Sequence, residues 1–181
     1  MGRFNIKAVF TLMILCFACI ILSSQPNSIY TGIRNTNMQI KASLNNSPLA
    51  WASEKVTITL NKQTGEFVAK LLIDDLQFAT PNANFNGNTG ENKGKYVTLT
   101  CTLPVDDVLH NANNAIDRKV EMTTNFNDID YQSPFTFTIL TLQTGGFSVM
   151  ANGTISHTAL GIANLAQLDD DLVVILSFTG Y

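Results

Sequence analysis

The chain has few side chains that could do chemistry: two histidines, one cysteine beyond the first 24 residues, and four small groups of aspartates. His110 and His157 lie far apart, and neither has a neighbour at metal-ligand spacing. Asp74-Asp75 and Asp128/Asp130 could supply the paired carboxylates of general acid–base catalysis, but acids scattered through a strand-rich chain usually mark solvated edges. Asp169, Asp170 and Asp171 are adjacent, without the D-x-D-x-D-G spacing that builds an oxygen cage for calcium. Cys101 shares the parity of Leu99 and Leu103, which reads as a buried thiol rather than a nucleophile. The G-x-S-x-G elbow, the P-loop and the C-x-x-C pair are absent. The residues therefore point to no catalysis, no cofactor and no metal.

Charge narrows the classes further. Only 14% of the 181 residues are charged, against ~25% in ordinary soluble domains, and Thr and Asn carry the polar surface. Arg3 and Lys7 precede an apolar run from Ala8 to Leu22, followed by Ser23, Ser24, Gln25 and Pro26. That run is shorter than the ~20 residues a membrane-spanning helix needs and reads as a secretory signal peptide over 1–24, with a short uncleaved anchor as the alternative. The rest of the chain is then expected to be periplasmic or secreted. Taking Arg3 and Lys7 from the 11 basic residues leaves 9 against 14 acidic ones, a net charge of −5. The basic residues are scattered, so no stripe exists for a phosphate backbone and no nucleic acid is expected. Cys16 and Cys19 lie in the leader, leaving Cys101 without an intramolecular disulfide partner.

The elements that must position any site are strands. Residues 25–52 read as a tail and a possible first edge strand, with Met38, Ile40, Ala42 and Leu44 weakly alternating and Trp51 plugging one end of a core. Val56, Ile58 and Leu60 alternate with Lys55, Thr57 and Thr59. Asn61 to Gly65 makes a hairpin loop with Gly at the likeliest positive-φ position. Phe67, Ala69, Leu71 and Ile73 return on one face, and a bulge or bend is expected after Asp74-Asp75. Residues 81–95 read as a loop. Val97, Leu99, Cys101 and Leu103 form the cleanest strand, and Asp106 to Ile116 has the spacing of one short helix capped by Asp106 or Asp107. Val120 and Met122 begin another strand. A Ser133-Pro134 turn then releases a hairpin with Phe135, Phe137 and Ile139 on one wall. Gly145-Gly146 reverses it, and Phe147, Val149 and Ala151 line the return. Gly153 to Leu168 reads as one strand with an irregular turn near Gly161, and Leu172, Val174, Leu176 and Phe178 close the chain.

About eight hairpin-connected strands with one apolar face each, plus one short helix, predict an all-β antiparallel barrel that removes its edges by closing. A β-sandwich has the same alternation. A barrel's inner wall either packs solid or encloses a small ligand, and an apolar lumen binds hydrocarbon at ~0.8 kcal/mol per CH₂.

The order of motifs resembles the YceI-like family of secreted bacterial polyisoprenoid-binding proteins, which have a lipocalin-like barrel. The residues that carry the resemblance are ITLNKQTGEFVAKLLIDDLQF (Ile58 to Phe78), the segment Asp106 to Leu109, the run from Asn125 to Phe137, and Gly153 to Gly161 before a closing apolar strand. It covers roughly residues 50–181, and the domain is placed at 53–181. The resemblance implies non-catalytic binding of an isoprenoid, quinone-like or fatty chain in the bacterial envelope. The alternation and the resemblance together nominate Ile58, Leu71, Leu99, Phe135, Phe137, Ile139, Phe147, Val149 and Leu176 as lumen residues. The alternative from another class is a structural or adhesive envelope module with a solid core and no ligand. A weaker third is a hydrolase using the aspartates.

Overall fold

A computed structural model describes residues 32–79, 92–104, 115–142, 145–162, 168–169 and 171–181. The expected signal peptide at 1–24, positions 81–91 of the expected loop and positions 106–114 of the expected helix lie outside them. Ten strands follow in chain order: β1 (Ile33–Leu44), β2 (Ser47–Ser53), β3 (Thr57–Leu60), β4 (Glu66–Leu72), β5 (Gln77–Phe78), β6 (Tyr96–Thr102), β7 (Ala115–Phe126), β8 (Ile129–Thr141), β9 (Phe147–Ser156) and β10 (Asp171–Gly180). They make one sheet in the order β3-β4-β6-β7-β8-β9-β10-β1-β2-β5. Every ladder is antiparallel. The sheet is strongly curled into a half-barrel.

Period-two alternation produces the curl's inside and outside. On β8, Ser133, Phe135, Phe137 and Ile139 are buried while Gln132, Pro134 and Leu140 are exposed, and β9 and β10 alternate in the same way. The apolar face can leave water only if the sheet bends around it. Ring contacts show how far it bends. Phe67 of β4 stacks on Phe178 of β10 at 5.7 Å between centroids and 22° between planes, although β6, β7, β8 and β9 separate those strands in the sheet.

Local chemistry sets the turns. Asn61 Oδ1 accepts the backbone N–H groups of Gln63 (2.9 Å) and Thr64 (3.1 Å), and Gly65 takes φ 73° to return the chain. Asn45 and Asn46 (φ 50° and 63°) join β1 to β2, and Asn127 and Asp128 (φ 52° and 62°) join β7 to β8. Two successive positive-φ residues are the signature of the type I′ turn, whose twist matches a hairpin's. Replacing Asn46 by valine is expected to cost about 1–2 kcal/mol, because a β-branched side chain resists the left-handed region, whereas Asn46→Gly leaves stability level or raised. Urea denaturation of both variants measures the difference.

The expected all-β antiparallel sheet curled around an apolar face is what the chain forms, with some details changed. Among the described residues it has ten strands rather than about eight, and no ladder there joins β3 to β5, the two ends of its order. Its edges are instead kept short, at four and two residues. Ala115 and Ile116, expected at the end of a helix, begin β7, which starts ahead of Val120 and runs along β8 from Ala115↔Leu140 to Phe126↔Ile129. That ladder outweighs a local helical spacing. The 3₁₀ turn at Ile73–Asp75 is the one helical segment among the described residues and supplies the bend expected after β4. Ser133-Pro134 makes no turn, since proline's fixed φ suits extended backbone and β8 passes through it with Pro134 opposite Glu121. Nor is β1 an edge strand, because it lies between β10 and β2. Gly153 to Ser156 completes β9, and the irregular turn follows, with Gly161 at φ 67°.

Candidate functional site: the inner face of the half-barrel

The groups that could have done acid–base or metal chemistry have structural uses. Asp75 pairs with Lys55 at 2.8 Å. Asp74 Oδ2 accepts the Gly94 N–H at 3.1 Å, and Asp130 Oδ1 accepts Asn125 Nδ2 at 2.7 Å. Asp128 is a turn residue, and Asp169 is exposed with its N–H donating to Ser43 O at 3.0 Å. His157 is buried at the turn after β9, while His110 lies outside the described residues. No group of three or more His, Cys, Asp or Glu that could hold a metal occurs among the described residues. No described helix is long and apolar enough to cross a membrane.

What the fold does assemble is the inner face. All nine nominated residues stand on it, with exposures from 0% to 7%. The registers set Ile139 opposite Val149 and Phe137 opposite Ala151, and then Ala151 opposite Leu176. On the other limb, Ile58 faces Ala69 and Ala69 faces Leu99. Across the curl, Phe67 meets Phe137 edge-on at 5.7 Å and 82°, and on the paired strands β9 and β10 Phe147 meets Phe178 at 6.4 Å and 86°. Phe137 and Phe147 thus touch rings of this chain as well as lining the face. A second, smaller cluster, separate from the main core, holds Trp51 with Leu49, Leu168 and Leu172.

The face is not uniformly sealed. The β6–β7 ladder runs only from Val97↔Phe126 to Thr100↔Thr123, so residues 115–122 of β7 have no β6 partner among the described residues. Burial on β7 follows that split. Met122, Thr124 and Phe126 are buried to 1% or less, whereas Ile116, Arg118 and Val120 of the same parity are half-buried. Cys101 lies at the β6 side of the splay and is also half-buried.

Burial raises the Cys101 thiol from its ordinary 9.0 to about 12. Because the folded value lies above the unfolded one, the protonated thiol favours the fold fully below pH 9, and that contribution is lost as pH climbs from there toward 12. Cys101 is accordingly expected to resist iodoacetamide at pH 8 in the native protein and to react readily in denaturant, by mass spectrometry. Rapid native labelling would contradict the reading of a buried structural thiol.

Three inner-face residues were not anticipated. Thr124 and Ser133 place hydroxyls on the buried face of adjacent strands, and neither Thr124 Oγ1 nor Ser133 Oγ has a hydrogen-bond partner among the described residues. Arg118 shares their parity on β7. Counting in twos from Met122 reaches Val120, Arg118 and Thr124, so the signal was the alternation itself once β7 is extended to Ala115.

The class defined by this fold and face is a curled antiparallel half-barrel with an apolar interior. It is similar to the solved structure of a polyisoprenoid-binding domain from Saccharophagus degradans, implicated in plant cell wall breakdown, with TM-score 0.67 and 9% identity over 84% of this chain and 97% of that one. At such low identity the likeness establishes a shared fold. No protein-family model matches the chain, and no curated protein does.

Proposed function

We propose that this protein is a non-catalytic carrier that holds a long-chain amphiphile, of polyisoprenoid, quinone-like or fatty type, against the inner face of its half-barrel in the periplasm or outside the cell. The observation that carries this reading is the fold shared with a polyisoprenoid-binding domain over 84% of the chain. The nominated residues Ile58, Leu71, Leu99, Phe135, Phe137, Ile139, Phe147, Val149 and Leu176 supply an apolar surface on that fold. Each methylene moved from water onto such a surface contributes ~0.8 kcal/mol, so a long chain binds with few polar contacts. The leader-like residues 1–24 support export.

A second reading rests on the Phe67, Phe137, Phe178 and Phe147 contacts: a structural envelope module whose interior is filled by its own rings. Purification from a native-like host, organic extraction and mass spectrometry separate the two. The carrier reading expects one stoichiometric long-chain lipid. No such lipid, together with no uptake of polyprenyl probes, leaves the solid module.

A further inference from the structure

Two hydroxyls stand unmet inside the apolar face. Thr124 of β7 is 0% exposed and Ser133 of β8 is 4% exposed, yet neither Thr124 Oγ1 nor Ser133 Oγ has a hydrogen-bond partner among the described residues. The register sets Thr124 opposite Tyr131 and Met122 opposite Ser133, so the two residues occupy one diagonal of the β7–β8 pair. On its other side Thr124 faces Leu99 of β6. The flanking positions of the same face, Met122, Phe126 and Phe135, are buried and apolar, and half-buried Tyr131 packs against the same core. None of these positions carries a charged side chain.

Buried polar groups in folded proteins are almost always paired, because an unmet hydroxyl in an apolar wall is costly. Valine at 124 or alanine at 133 would avoid that cost without leaving the strand. Diagonal neighbours in an antiparallel pair lie about 7–8 Å apart. That spacing is too wide for one hydroxyl to bond the other, and it leaves room for a single oxygen between them. Each hydroxyl can donate as well as accept. An uncharged oxygen suits such a pair, whereas an ionised group would lose its hydration among these residues with no counter-charge at the flanking positions.

We propose that Thr124 and Ser133 form a subsite for one uncharged oxygen of the carried amphiphile, a hydroxyl or a carbonyl, with the adjoining hydrocarbon against Leu99, Met122 and Phe135. This rests on the carrier reading above and adds to it the chemistry of the polar group.

Transfer of farnesol, farnesal, farnesoate and farnesene from phosphatidylcholine vesicles to the full chain tests the subsite. The four share one hydrocarbon skeleton, and each variant is compared with the unaltered protein ligand by ligand. Thr124→Val and Ser133→Ala are each expected to weaken farnesol or farnesal about five- to tenfold, the size of one hydrogen bond lost, and to leave farnesene and farnesoate within about twofold. Whichever of the alcohol and the aldehyde loses more identifies the oxygen. Thr124→Val keeps the side chain's shape, so the urea midpoint of the lipid-free variant is expected to stay level or rise. A lower midpoint, or failure of Thr124→Val to fold, marks a hydroxyl already paired within the protein, by a buried water for instance, and overturns the subsite. Losses shared by farnesene, a loss for farnesoate as large as those for the neutral pair, or no loss for either farnesol or farnesal also overturns it while leaving a carrier. Binding of none of the four by the unaltered protein overturns both.

Discussion

Replacing Phe67 by alanine is expected to destabilise the protein by about 3–5 kcal/mol, the usual cost of truncating a fully buried phenylalanine. Native domains hold only about 5–15 kcal/mol in total, so this one change approaches the limit of folding. The expected size follows from where the ring sits. Phe67 is 0% exposed and joins β4 to Phe137 of β8 and Phe178 of β10 at once. Those strands share no ladder with β4. The ring therefore closes the curl by packing where hydrogen bonds do not. Val68→Ala, on the opposite face of the same strand and half-buried, is expected to cost no more than about 1.5 kcal/mol. Urea melts of the pair measure the contrast, and equal losses would show that the interior ring contact contributes little.

The second large effect comes from adding an atom. Gly153 lies opposite Phe135 in the β8–β9 ladder, and a Cβ there would clash with the edge of the Phe135 ring at Cγ, Cδ2 and Cε2. Its φ is not in the left-handed region, so alanine suits the backbone and the conflict is purely one of space. Gly153→Ala is expected to lose about 1–3 kcal/mol by overpacking, and Gly153→Val more. The cause fixes the control. In a Phe135→Leu background, with the ring gone, the same Gly153→Ala change is expected to cost far less, and a double-mutant cycle reads the coupling directly. Strict additivity of the two losses would mean that the ring is not what the new methyl meets. Gly180 repeats the device beneath Phe147, an aromatic side chain covering a glycine across a strand pair.

How much of this was legible beforehand depended on whether local pattern and sheet environment agreed. β4, β6, β8, β9 and β10 each expose one face, so their alternation could be read and the nine nominated positions fell on one surface. Segments whose pattern was weak or whose fate was decided elsewhere were misread. Ala115 and Ile116 carry helix-compatible spacing from the preceding residues, yet their conformation is dictated by Leu140 and Ile139 on a strand more than twenty residues later. Residues 25–52 read as a tail and a possible first edge strand because Asn37, Gln39, Lys41 and Ser43 crowd the outer face of β1, and only its partner β10 reveals β1 as an interior strand. The Asn127-Asp128 turn lacked the glycine that flags a type I′ hairpin. Arg118 escaped notice because it fell between an expected helix and an expected strand, where no face had been assigned. An element boundary thus hid the inward side chains at the start of β7, whereas the rest of the apolar wall was visible.

The position of β1 bears on when the molecule can be completed. This strand pairs with β10, the last strand described, and among the described residues the other ladder of β2 is two residue pairs with β5, itself the end of the sheet order. The first hairpin to emerge in synthesis must therefore wait for the last strand before it has a sheet to join. Pairing across so much sequence is slow to nucleate. A chain built this way stays unfinished until β10 is available to pair.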